Sequence, residues 1–159
     1  MPTAPAALTV AHPDLWLTDD QQTVWRAWLL GSARISAHLD AVLRPHGLDL
    51  ADYEILVCLS ESEDRSLRMS TLADMAHQSR SRLTHAVSRM ERGGYVTRRP
   101  AKDDGRGVIA TLTDAGYALL DAVAPTHVQS VRDIFVDAVD PDDFAAIGRA
   151  MQAVLSAKV

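Results

Sequence analysis

The chain has 159 residues, 47% of them apolar and 23% charged, with a single cysteine and a formal net charge of −5. This length and apolar content suit one domain of ordinary size with its own core and leave little room for two. One cysteine excludes an internal disulfide and a multi-cysteine metal site. No apolar run approaches the ~20 residues that cross a bilayer, so the expectation is a cytoplasmic protein with no membrane partner.

The opening MPTAPAALTVAHPD lacks the basic region and apolar core of a signal peptide, and its small residues, prolines and missing period predict a flexible arm over residues 1–18. From Asp19 to Leu43 the pattern is helical, with Asp19 or Asp20 as the expected cap. Val24, Trp28, Ile35, Leu39 and Val42 form one apolar stripe, which Trp25, Leu29 and Leu43 broaden. A stripe this wide exceeds what a small domain covers and points to a homodimer interface. The alternative, Trp25 and Trp28 packed within their own subunit, stays open. Arg44-Pro45-His46-Gly47 breaks the helix, and Asp52 opens a core helix running to about Glu61. Cys58 lies inside its ILVCL run and reads as a buried apolar residue rather than a redox centre, which needs exposure and positive neighbours.

A polar loop, Ser62 to Arg68, leads to a short helix with Leu72, Met75 and Ala76 at helical spacing, for which Ser70 is the expected cap. His77 and Gln78 interrupt the pattern. Ser79 then offers a new cap ahead of Leu83, Val87 and Met90, spaced i, i+4, i+7. The opposite face carries Arg80, Ser81, Arg82, Thr84, His85, Ser88 and Arg89. Arginine can grip guanine or phosphate, and small hydroxyl residues permit close approach, so this face suits a DNA major groove. Gly93-Gly94 ends the helix. Tyr95 to Thr97 and Val108 to Leu112 favour strands, with Arg98, Arg99, Lys102 and Arg106 around the Asp103-Asp104-Gly105 turn. The sequence therefore predicts helix, turn, helix and basic hairpin.

Charge follows the same division. From His77 to Gly107 there are eight Lys or Arg against three acids, a local +5, and the remainder carries eight against eighteen, −10. A basic face on an acidic body fits an electrostatic footprint for nucleic acid better than the net charge suggests. Beyond it, Thr113 is the expected cap of a long helix through Leu119, Leu120, Val123, Val128, Val131, Ile134, Phe135 and Val139, kinked at Pro125. Asp140 and Pro141 open a last helix, whose apolar face is Phe144, Ile147, Met151, Val154 and Leu155.

LADMA, SRSRLTHAVSRMERGGYV and DDGRGVIATLTDAG, in this order and spacing, resemble the MarR family of bacterial transcription regulators. The resemblance implies a mainly α fold with a small β-wing, a winged helix-turn-helix over residues 49–112, and dimerisation helices over 19–48 and 113–159. It implies a third short strand at Leu67 to Met69, and a triangular homodimer with one winged lobe at each lower corner. It places Asp104 and Arg106 where family members carry an aspartate that orients a DNA-contacting arginine. His85 departs from the family pattern, in which a long polar residue is common. The resemblance also implies a small effector, often aromatic or anionic, between body and lobe. Trp28, His38 and Tyr53 are candidates to line that crevice, beside a core or surface role for each.

The expected function is thus a homodimeric repressor on a pseudo-palindromic double-stranded operator. Six histidines show no HxxxH or HExxH spacing and there is no GxSxG elbow, so no metal, cofactor or catalytic residue is expected. The competing reading is a winged module that binds protein without reading DNA. Interleaved Arg, Ser and Thr is a poor composition for it, since protein interfaces favour aromatic anchors.

Overall fold

A computed structural model describes residues 16–101 and 107–158. The described residues fall into two units, divided between Arg34 and Ile35, and the first helix, α1 (Asp19–Leu43), begins in one and ends in the other. Its cap is Thr18 rather than Asp19 or Asp20. The Gln21 amide donates to Thr18 Oγ1 at 3.2 Å and the Thr18 amide to Gln21 Oε1 at 2.9 Å, a reciprocal capping box. Both aspartates sit in the first turn, where the helix dipole favours them. Within residues 16–34, Val24, Trp25, Trp28, Leu29 and Leu30 are all exposed, Trp28 at 44% and Leu30 at 73%.

The second unit is organised around α2 (Leu50–Ser60), which carries Ile55, Leu56 and Leu59 at zero exposure. It starts two residues earlier than its apolar pattern indicated. Asp49 is the cap, accepting from the Asp52 amide at 2.7 Å, and Asp52 reaches back to the Asp49 amide. The carboxylate taken for the helix start is the third position of a capping box. Next come β1 (Ser66–Arg68), α3 (Met69–Met75), α4 (Arg80–Arg92), β2 (Val96–Pro100) and β3 (Val108–Leu112). The sheet order is β1-β3-β2, all antiparallel, with Leu67 opposite Ala110 and Arg98 opposite the same residue from the other side.

Several boundaries shift. The third strand is Ser66–Arg68, not Leu67–Met69, and the strand expected from Tyr95 to Thr97 runs from Val96 to Pro100. Ser70 caps nothing: α3 begins at Met69 after Arg68, without a side-chain cap, and Met75 is exposed while Ala73 is buried in its place. Ser79 does cap α4, its Oγ accepting from the Arg82 amide at 3.3 Å. Leu83, Val87 and Met90 are buried as their period requires, and with Leu72, Val96 and Val123 they complete the core. Gly94, at φ +77°, supplies the left-handed residue that ends the helix.

Helix α5 (Asp114–Val131) is capped by Thr113, whose Oγ1 accepts from the Gly116 amide at 3.0 Å and donates to the Gly94 carbonyl at 2.7 Å. The helix continues through Pro125. A π-turn follows over Arg132–Val136. Helix α6 (Pro141–Ser156) is capped by Asp140, buries no residue, and leaves Phe144, Val154 and Leu155 exposed. No helix among the described residues is long and apolar enough to cross a membrane.

Candidate nucleic-acid interface

Helix α4 is amphipathic in the literal sense. Leu83, Ala86, Val87 and Met90 face the core, while Arg80, Ser81, Arg82, Thr84, His85 and Arg89 are exposed and Ser88 is half-buried. Thr84 is exposed and returns its hydroxyl to the Arg80 carbonyl at 2.8 Å, within its own helix. The turn before α4 contains His77 at φ +50°, a left-handed conformation that is uncommon outside glycine. Across that turn Gln78 Nε2 donates to the Ala51 carbonyl at 3.1 Å, which ties the turn to the first turn of α2.

On one flank of α4 a cleft of about 340 Å³ lies between its first turns, the start of α3 and the hairpin. Arg68, Arg80 and Arg98 stand in its walls with Ser70 and Thr84, a basic and hydroxyl-rich lining. A second cleft of about 320 Å³, on the α2 side, is lined by Asp40, Asp49 and Glu54 with His77, Gln78 and Arg82. Its carboxylates mark where the basic face ends. Burial pushes the Glu54 carboxyl up against the opposing pull of His77.

Two of the expected DNA contacts are held within the chain. Arg89 Nη2 donates to Asp52 Oδ1 at 2.5 Å; Arg89 is half-exposed, and the Asp52 side chain is only 5% exposed. That hydrogen bond raises the Arg89 pKa, so the guanidinium charge is secure. Arg98 clasps Glu91 through Nε at 3.0 Å and Nη2 at 2.6 Å, and its amide donates to Glu91 Oε1 at 3.2 Å. The Arg98 hydrogen bond lowers the Glu91 pKa, and the pair fastens the root of the wing to the end of α4. Arg99 is exposed on β2. Lys102, Asp104 and Arg106 lie outside the described residues, as do residues 1–15 of the arm expected over 1–18; the hairpin strands are joined by the Ala101 amide donating to the Gly107 carbonyl at 2.8 Å.

Neither ion pair is legible in the sequence by period. Asp52 and Arg89 are 37 positions apart. The signal available was a carboxylate, Asp52, at the start of a largely apolar helix, which requires a partner if buried. Of the residues considered for an effector, Trp28 is exposed on α1, His38 is half-buried near its end, and Tyr53 is buried with its ring 4.1 Å from that of His127. Burial raises the Tyr53 hydroxyl and, with help from Glu54 and Glu61, the Cys58 thiol, which keeps that sulfur protonated. Among the described residues no three His, Cys, Asp or Glu side chains are grouped to hold a metal ion.

Comparison with known proteins identifies this arrangement. The model of the MarR family matches residues 46–107, from just after α1 to the wing. The chain is 32% identical over 104 residues to the HTH-type transcriptional regulator PecS of Dickeya dadantii, a match that spans 65% of this chain and 63% of PecS. Among solved structures it is similar to AbsC, a MarR family transcriptional regulator from Streptomyces coelicolor, at 43% identity and a TM-score of 0.83, covering 88% of this chain and 95% of AbsC. It is also similar to Sco3205, a MarR family regulator of the same organism solved in complex with DNA, at 42% identity and a TM-score of 0.84, covering 88% and 89% of the two chains.

Proposed function

Because the chain belongs to the MarR family, we propose that it is a sequence-specific transcription regulator that binds double-stranded DNA as a homodimer and represses by occupying its operator. The observation that carries this reading is the outward face of α4, where Arg80, Ser81, Arg82, Thr84 and His85 are all exposed on a helix whose other face is core. Arg82, Thr84, His85 and Ser88 are the base readers, with Arg80 toward phosphate. A helix needs such a narrow, small-residue ridge to enter the major groove. Arg99 on β2, and Lys102 and Arg106 at the tip, are assigned to the flanking backbone and minor groove, Asp104 to orienting Arg106.

The supporting test is titration of the protein against labelled duplex from the region flanking its own coding sequence, with a scrambled duplex as competitor. The expected result is retention of the specific duplex against excess scrambled DNA, with affinity falling steeply as salt rises. Equal affinity for both duplexes would leave a nonspecific binder, and no binding at low salt would return the winged lobe to the protein-binding reading.

A further inference from the structure

We propose that Asp52 is a positioning residue for DNA recognition, and that Arg89 serves it from within the protein instead of contacting a phosphate. This rests on the DNA-binding reading above. The first turn of α2 holds the recognition helix at both ends: Ala51 accepts from Gln78 just before α4, and Asp52 accepts from Arg89 in its last turn. That first turn is itself fixed to α1, since the Leu50 amide donates to Asp40 Oδ1 at 2.8 Å. Three consecutive residues of α2 thus carry hydrogen bonds to the helix before them, to the turn ahead of α4 and to the end of α4.

Asp52 has no freedom to do otherwise. It is 3% exposed and already committed to the capping box, so its charge requires a permanent partner. Arg89 is that partner. Were its guanidinium to leave for a phosphate, a buried carboxylate would remain uncompensated, a penalty that binding would have to overcome at each lobe. A fixed Arg89 instead sets the angle at which α4 leaves the domain surface, on which the register of Thr84 and His85 against base edges depends. The Arg98 to Glu91 pair does for the wing what Arg89 does for the helix.

The two roles differ in what salt does. A cation that neutralises a phosphate contributes about 0.9 to the slope of log affinity against log salt, and a positioning pair contributes nothing. The probe is a duplex enriched from a random-sequence pool by the wild-type protein; failure of any duplex to enrich would count against the DNA-binding reading itself. On that probe Asp52→Asn keeps an oxygen for the capping box and removes the charge that holds Arg89. It is expected to weaken binding by about tenfold with the salt slope unchanged, and adding Arg89→Met to it should weaken binding little further, as for two residues of one network. The proposal is overturned if Asp52→Asn binds as tightly as wild type, or if Arg89→Met on either background lowers the slope by about 0.9. Should the variants fail to fold, the wild-type protein decides. The Arg89 guanidinium nitrogen resonances, held by Asp52, are expected to keep their shifts and exchange protection when the duplex is added, and their movement to a phosphate-bonded position would sink the idea.

Discussion

His85 and Thr84 stand at the middle of the exposed face of α4, and neither is engaged with another element of the fold. Alanine at either position should therefore leave the melting temperature where it is and act only on DNA. A good base contact discriminates by about 1–3 kcal/mol, and its loss relaxes preference at one base pair. Selection from random duplexes by each variant reads this directly, and a consensus identical to that of the wild type would show that α4 is not the reader. His127 is a residue of the opposite kind. Its ring lies tilted against that of buried Tyr53, its Nδ1 is buried without a hydrogen-bond partner, and burial lowers its pKa. A histidine whose pKa is lower folded than unfolded contributes stability fully above the unfolded value of about 6.5, and this is lost as the pH falls below it. The fold should thus weaken between pH 7 and pH 5. Glu54, raised by burial, works in the other direction as pH falls, so the informative comparison is with His127→Phe, in which the Glu54 contribution cancels. The variant keeps an aromatic stack and should lose less melting temperature across that interval. Equal losses would mean that His127 is not the titrating group.

At the scale of elements, what the sequence displayed was whatever repeats locally. The limits of α1, the Ser79 cap, the buried face of α4, the span of β3 and the Asp140-Pro141 start of α6 all follow from period and capping chemistry within a few residues. Misplaced starts share one cause. At α1 an acid of the first turn stands as the expected cap, and at α2 one stands as the expected helix start, because Thr18 with Gln21, and Asp49 with Asp52, are recognised only when both partners of the box are considered. Ser70 failed for another reason: the short α3 emerges directly from β1, so strand pairing of Arg68 with Ile109, not a cap, fixes its entry. The pair of Arg89 with buried Asp52 joins positions 37 apart and leaves no periodic trace. Gly116 shows tertiary packing reversing a propensity. In an ordinary helix Gly→Ala gains about 1 kcal/mol, but a Cβ here would lie 2.2 Å from the Tyr95 carbonyl oxygen and 2.6 Å from Leu112 Cδ1. The glycine of the LTDAG run is thus required where α5 crosses the start of β2. Gly116→Ala is expected to cost about 1–3 kcal/mol, as overpacking does, which calorimetry would register as a lower melting temperature; an unchanged or higher one would refute the tight crossing.

At the scale of the whole molecule, the question is what covers the apolar surface that the single chain leaves bare. Val24, Trp25, Trp28, Leu29 and Leu30 are exposed on α1, and separately Phe144, Val154 and Leu155 are exposed on α6. Soluble monomers seldom present such contiguous patches, whereas a stable two-fold interface buries roughly 1,200–2,000 Å² or more. A homodimer is therefore expected, and light scattering should return about twice the 17.3 kDa of the chain. The charge distribution makes the dimer consequential for DNA, because one basic face of net +5 belongs to each copy and the acidic remainder repels the duplex elsewhere. Two lobes on successive major grooves neutralise twice the phosphates of one, so the slope of log affinity against log salt should be about twice as steep for the dimer as for a monomer. Leu155→Glu provides the comparison. At 79% exposure the site tolerates a charge without loss of fold, yet within an interface that charge would be desolvated and unpaired. The variant should scatter as a monomer, keep the wild-type helical signal, bind the operator far more weakly, and show roughly half the salt slope. A monomeric variant that retained the wild-type slope and affinity would mean that one lobe suffices for the operator, and the paired-groove geometry would have to be abandoned.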